Sequence, residues 1–107
     1  MPDQIPGSRD TVIGINDSLT VTGDSSLRVG RNSSSRVRDN QSLQAGKRLV
    51  IQAGDQLELV CGDASILMKK DGSIVIKGKD ITIEGSGKVN VKASGDVVLR
   101  GSKVLQN

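Results

Sequence analysis

Short pairs of apolar residues, each separated by one residue, recur along this chain at a nearly constant step. Eight residues is the commonest spacing between the first members of successive pairs. A fixed period is typical of repeat architectures, in which each unit packs only against its neighbours. The pair Ser35/Val37 keeps the register between Val29 and Leu43, with Ser in the first position. The apolar pairs are Leu19/Val21, Leu27/Val29, Leu43/Ala45, Leu49/Ile51, Leu57/Leu59, Ile66/Met68, Ile74/Ile76, Ile81/Ile83, Val89/Val91 and Val97/Leu99, and a partial member begins at Val104.

Within each unit, apolar and polar side chains alternate with a period of two. In the unit 79–85, Ile81 and Ile83 fall on one side of an extended segment, and the polar residues around them fall on the other. This alternation predicts β-strands with one buried face. Helix is disfavoured, because glycines recur too often to leave a helix interior.

Thirteen glycines are spread along the chain, and most units end at one of them. Gly adopts positive φ without a Cβ clash, so we expect the glycines to form the sharp corners of a regular winding. Asp71-Gly72 by itself is a signal for a β-hairpin. Because similar corners recur at nearly one period, we interpret Asp71-Gly72 as one more corner of the winding.

Three short strands around a triangle can direct their apolar sides to a common axis. A single chain wound in this way completes only about four coils, whereas three identical chains wound together give about a dozen layers, with successive strands from different chains. The predicted fold class is therefore all-β: an intertwined homotrimeric triple-stranded β-helix built from octapeptide-like repeats. The alternative is a single-chain β-solenoid that serves as a binding module for polysaccharide or protein.

The chain contains no His, Phe, Tyr or Trp. Without His, Ser-His-Asp and Cys-His catalytic arrangements and Cys/His zinc sites are excluded within one chain. The carboxylate pairs Asp55/Glu58 and Asp80/Glu84 are interpreted as outward charges in water. We therefore expect no catalytic residue, no metal site and no cofactor, and a protein that is not an enzyme.

Charge and targeting signals limit the partners and the location. Fifteen Lys and Arg residues are mixed with twelve Asp and Glu residues, and no aromatic side chain is present to stack on bases, so we expect no nucleic-acid partner. Cys61 is the only cysteine and is interpreted as a small core residue. The sequence shows neither a membrane span nor a signal peptide. We expect assembly in the cytoplasm and secretion by a signal-peptide-independent route.

Two stretches carry a family resemblance. Leu19-Thr-Val-Thr-Gly23 followed by Leu27-Arg-Val-Gly30 resembles the octapeptide repeats of the triple-stranded β-helix in phage tail spikes and in VgrG spike proteins of type VI secretion systems. The segment 64–78, Ala-Ser-Ile-Leu-Met-Lys-Lys-Asp-Gly-Ser-Ile-Val-Ile-Lys-Gly, and the run 81–89 resemble the C-terminal block of VgrG proteins. The resemblance covers residues 11–107.

The resemblance implies a structural needle at the distal end of a contractile secretion apparatus. Such a homotrimeric membrane-puncturing spike pierces target envelopes, carries effectors and makes transient contact with the target membrane. Its expected partners are a PAAR-type tip protein at the blunt end and secretion-tube or effector proteins. The expected role of the needle is mechanical, since we expect no catalytic residue in the chain.

The pattern divides the chain into three segments: a partly irregular N-terminal lead-in at 1–10, a β-helix with irregular octads at 11–63, and a C-terminal block at 64–107 that ends at the spike tip. Ser35 occupies an inward position, which predicts a locally hydrated gap or, alternatively, an ion site. The predicted trimer core comprises Ile66, Met68, Ile74, Ile76, Ile81, Ile83, Val89, Val91, Val97 and Leu99. Possible tip-partner contacts are Val104, Leu105, Gln106 and Asn107, for which a frayed tail is the alternative.

Overall fold

The computed structural model describes residues 6–106 of the chain. All regular secondary structure in that range is β, and no helix occurs there. The strands are β1 (Gln56–Cys61), β2 (Ala64–Lys69) and β3 (Ile74–Lys77). The predicted all-β class is confirmed for the described residues.

The three strands form one antiparallel sheet in the order β1-β2-β3. Leu59 in β1 pairs with Ile66 in β2, and Ile66 pairs in turn with Ile76 in β3. Because side chains in a strand alternate between faces, these paired residues lie on one face of the sheet. The register therefore confirms the predicted alternation of faces across all three strands.

The turn between β1 and β2 consists of Gly62 and Asp63. Gly62 has φ of 55°, and no residue other than glycine has positive φ among those described. The turn has two central residues, and positive φ occurs at the first of them alone. These are the φ signs of a type II′ turn, whose twist suits the flanking strands. The segment boundary proposed between residues 63 and 64 falls at the end of this turn.

The loop between β2 and β3 is a three-residue hairpin loop of residues 70–72. The Gly72 N–H donates to the Lys69 carbonyl at 3.0 Å, the Lys69 N–H donates to the Ser73 carbonyl at 2.9 Å, and Gly72 has φ of 96°. This is the geometry of a type I turn followed by a left-handed residue that forms a bulge. The interpretation of Asp71-Gly72 as a corner of a winding was therefore wrong, because its local turn chemistry closes a hairpin.

The same pairing changes the expectation for residues 56–77. Successive strands were expected to come from different chains, but here they pair with their neighbours in the same chain. Short turns close these hairpins at a small cost in loop entropy. Pairing with another chain has a larger entropic cost.

Positive φ is confined to two of the glycines. All thirteen glycines lie in the described range, and only Gly62 and Gly72 have positive φ. At one other position, glycine is required because neighbouring atoms leave no room for a Cβ atom. A Cβ atom at Gly85 would lie 2.9 Å from the Lys88 carbonyl oxygen and 3.0 Å from Val89 Cγ2.

The chain divides into two units at residues 43 and 44. The sheet belongs to the second unit. In the first unit, residues 6–43 form no hydrogen-bonded strand, and Leu19 and Leu27 are 86% and 87% exposed. Arg38 Nε lies 4.0 Å from Asp39 Oδ1, and both side chains are highly exposed, so this ion pair adds little stability.

No described residue is buried, and only Leu57, Ser65 and Leu67 are half-buried. One copy of the chain exposes 12355 Å². A compact monomer of this mass keeps only about 5,700 Å² accessible. One copy therefore lacks the apolar core that stabilises an ordinary domain.

Candidate functional site

One face of the sheet is entirely apolar, and we call it the apolar face. Two cross-strand rows extend over it, Leu59-Ile66-Ile76 and Leu57-Met68-Ile74. Cross-strand pairs of this kind hold a register in place, since a slip by one residue would move every apolar side chain to the other face. The apolar face comprises Leu57, Leu59, Cys61, Ala64, Ile66, Met68, Ile74 and Ile76.

The opposite face is mixed and suits contact with water. Leu67 lies between Glu58 and Val75 and is half-buried there. The remaining positions on this face are mostly polar or charged: Gln56, Val60, Ser65, Lys69 and Lys77. The two faces therefore differ in composition, and the apolar face is the one without polar side chains.

The apolar face is open to solvent in a single copy. Ile74 and Ile76 are 64% and 58% exposed, and even Ile66 and Met68 in the central strand are 41% and 40% exposed. Soluble proteins rarely leave a contiguous apolar patch of this kind uncovered, and such patches mark interaction sites.

Two open grooves extend the apolar face beyond the strands. The larger, of about 510 Å³, is lined by Leu59, Ile66 and Ile76 together with Ile81 from the segment after β3. The smaller, of about 200 Å³, brings Ile51 next to Leu57 and Met68. Ile51 and Ile81 both belong to predicted inward pairs, so the apolar surface is continuous with the octads on either side of the sheet.

The structure brings together half of the predicted trimer core. Ile66, Met68, Ile74 and Ile76 lie on the apolar face, and Ile81 lines its larger groove. The other five lie outside the strands with exposures from 55% to 75%: Ile83, Val89, Val91, Val97 and Leu99. Their place in a trimer core stays a prediction.

The predicted tip contacts lie in the last described residues. Leu105 is 90% exposed and Val104 is 59% exposed, and Gln106 is also exposed. Asn107 lies outside the described residues. These exposures leave Val104 and Leu105 accessible to a partner.

Cys61 is a free, exposed thiol at the end of β1, paired across the turn with Ala64. Its position on the apolar face agrees with its predicted alternation, although one copy does not bury it. Ser35 is exposed in the first unit. Within residues 6–106, no group of three His, Cys, Asp or Glu side chains is placed to hold a metal ion.

Charged groups cluster at the β2–β3 loop. The Lys70 N–H donates to the Asp55 carbonyl at 2.9 Å, which continues the β1–β2 ladder past the strand ends. Asp71 Oδ1 accepts a hydrogen bond from the Ser73 N–H at 2.9 Å. This bond, reinforced by the Ser73 hydroxyl, lowers the pKa of Asp71 because it stabilises the ionised carboxylate.

The sequence reasoning missed the contribution of β1 to this surface. Leu57, Leu59 and Cys61 were recognised as inward positions, but their pairing with β2 was not. The signal was present in two turn dipeptides, Gly62-Asp63 and Asp71-Gly72, each flanked by alternating apolar residues.

The sequence matches no model of a known protein family and has no significant match among curated proteins. Among the described residues, no helix is long and apolar enough to cross a membrane.

Proposed function

We propose that the chain is the structural needle of a contractile secretion apparatus and that it acts as a homotrimer. The observation that carries the proposal is the uncovered apolar face, continuous with inward residues of the neighbouring octads. A binding module that functions alone would bury such residues in its own coils.

The exposed area supports an obligate assembly. One copy exposes 12355 Å², about twice what a compact chain of its mass keeps accessible. A standard interface covers about 800 Å² on each partner, so one such contact would leave most of the excess uncovered. Intertwined copies in contact along their whole length cover far more.

The repeats outside the sheet favour three copies. Two flat sheets can pack face to face, but an octad offers only two inward side chains, such as Ile81 and Ile83. Three narrow strands around an axis enclose such pairs, and the resemblance of residues 11–107 to triple-stranded β-helices favours the same number. The proposed fold is a triple-stranded β-helix that contains one in-chain sheet in each copy.

The proposed work is mechanical. A trimer with its backbone groups paired transmits force along its axis with little bending. Such a needle needs no catalytic group or cofactor. It would be assembled in the cytoplasm and exported by the contractile apparatus, and it would meet the target membrane only in passing.

The proposed partners bind at the end of the needle. Val104 and Leu105 leave apolar groups accessible near the C-terminal end of the described residues, and in the proposed trimer strand edges there would be open to an added strand. A PAAR-type tip protein or an effector is the proposed occupant.

Molar mass in solution tests the proposal. Light scattering coupled to size exclusion is expected to give three times the chain mass of 11.2 kDa. Refractive index must report concentration, because the chain has no Trp or Tyr. A mass of one chain across the concentration range would reject the needle and favour the single-chain solenoid.

A further inference from the structure

The three-stranded sheet is the part of the described chain that is ordered by its own hydrogen bonds. Both of its connections are short and locally encoded: Gly62 has φ of 55°, and Gly72 has φ of 96° in a loop held by the Asp71 side chain. Hairpins with such turns form within about 1–10 μs. The sheet can therefore be present before any second copy arrives.

The octads on either side differ in this respect. Residues 6–54 and 78–106 contain no hydrogen-bonded strand within one copy. Their backbone groups need another chain before they can join a ladder. Ordering them costs conformational entropy that only contacts between copies can offset.

The apolar face is thus a preformed contact surface for further copies of the same chain. A surface that is already ordered loses little conformational freedom on binding, so it associates before a surface that must order at the same time. The outer edges of β1 and β3 are unpaired within the described chain. Ile51, before β1, and Ile81, after β3, line the two grooves beside the sheet.

We infer that the sheet of residues 56–77 is the nucleus of assembly, where three copies first meet through their apolar faces. The octads then pair between chains outward from the segments beside the sheet. This inference rests on the proposed trimer and adds to it an order of events and a defined initiating surface.

Refolding of the full chain from denaturant tests the inference, with association followed by light scattering. Ile66→Val and Ile76→Val each remove one methylene per copy from the apolar face. If three copies meet there, three methylenes are lost from the nucleus, and at about 0.8 kcal/mol for each fully buried methylene we expect association to be up to about sixtyfold slower with little change in dissociation.

Ile83→Val is the matched control, because it removes the same methylene outside the sheet. We expect it to leave the association rate unchanged and to accelerate dissociation. Pulsed hydrogen exchange provides a second measurement: amides of β2 are expected to be protected before the association phase, and amides of residues 81–99 only after it.

The outcomes separate the two proposals. A trimer whose association is slowed as much by Ile83→Val as by Ile66→Val would overturn the nucleus and leave the needle intact. Simultaneous protection of all amides would do the same. A protein that has the mass of one chain under all conditions would overturn both.

Discussion

At the scale of single residues, Asp71 orders the loop between β2 and β3. Its Oδ1 accepts the Ser73 N–H at 2.9 Å, so the side chain takes the place of a backbone acceptor. The pKa of Asp71 is lowered mainly by this backbone bond and next by the Ser73 hydroxyl. The hydrogen bond is stronger to the carboxylate than to the neutral acid.

This geometry predicts a pH dependence for the loop. A carboxyl group whose folded pKa is depressed contributes stability above its unfolded pKa and loses it as pH falls through the folded value. We expect Asp71 to titrate below the ordinary 3.8 in an NMR titration, and the loop to loosen at that acidic pH. Asp71→Asn keeps an acceptor and should remove this dependence, whereas titration of Asp71 at its ordinary value would contradict the assignment.

Gly85 offers a second residue-level prediction. A Cβ atom there would approach the Lys88 carbonyl oxygen to 2.9 Å, whereas a Cβ at Gly87 would meet nothing within 4 Å. Gly85→Ala is expected to lower the free energy of unfolding by about 1–3 kcal/mol, because the backbone at Lys88 must shift to make room for the Cβ atom. Gly87→Ala should leave it unchanged or raise it by up to about 1 kcal/mol.

Urea denaturation of the two Gly→Ala variants, followed by far-ultraviolet circular dichroism, measures the difference. Equal midpoints for Gly85→Ala and Gly87→Ala would mean that close approach is not what requires glycine at position 85.

At the scale of elements, the two faces of β3 carry different roles. Ile76 lies on the apolar face, whereas the adjacent Val75 lies on the mixed face opposite Leu67. In the proposed trimer, Ile76→Asp places three carboxylates against one another in an apolar contact, where each costs several kcal/mol unless it is protonated.

We expect Ile76→Asp to abolish the trimer in a molar-mass measurement. Val75→Asp is the matched control, since it introduces the same charge one position away and should leave the trimer in place. A stable Ile76→Asp trimer would exclude the apolar face from the contact between copies.

The strands show what sequence can and cannot predict. The face of each residue follows from a local period of two, so Leu59, Ile66 and Ile76 were placed correctly. Pairing is a competition between partners, and the octad period alone does not say whether a strand pairs within its chain or with another. The turns favour pairing within the chain, because the hairpins closed at Gly62 and Gly72 cost less loop-closure entropy than pairing with a distant segment.

At the scale of the whole molecule, one copy has no buried core among its described residues. The apolar residues that the period predicts as inward are all present, yet none is buried among the described residues. The period predicts which side chains lie inward, and that three copies enclose them stays a prediction. The number of copies depends on the difference in free energy between competing assemblies, which no local pattern records.

The stability of such an assembly depends on concentration. Binding of further copies stabilises the folded form by mass action, so dilution weakens it. The mildly basic surface, with charges of both signs, would limit non-specific contact during assembly of the proposed trimer.

The loop that closes the β2–β3 hairpin has a second consequence, which concerns aggregation. Residues 64–68 of β2 are uncharged and free of proline, the composition that stacks readily into fibrils. Lys69, Lys70 and Asp71 follow directly, and Asp63 precedes. In-register stacking would repeat each of these charges about every 4.8 Å, at a steep electrostatic cost. The residues that shape the two turns therefore also act as gatekeepers against fibril growth while a copy is still alone.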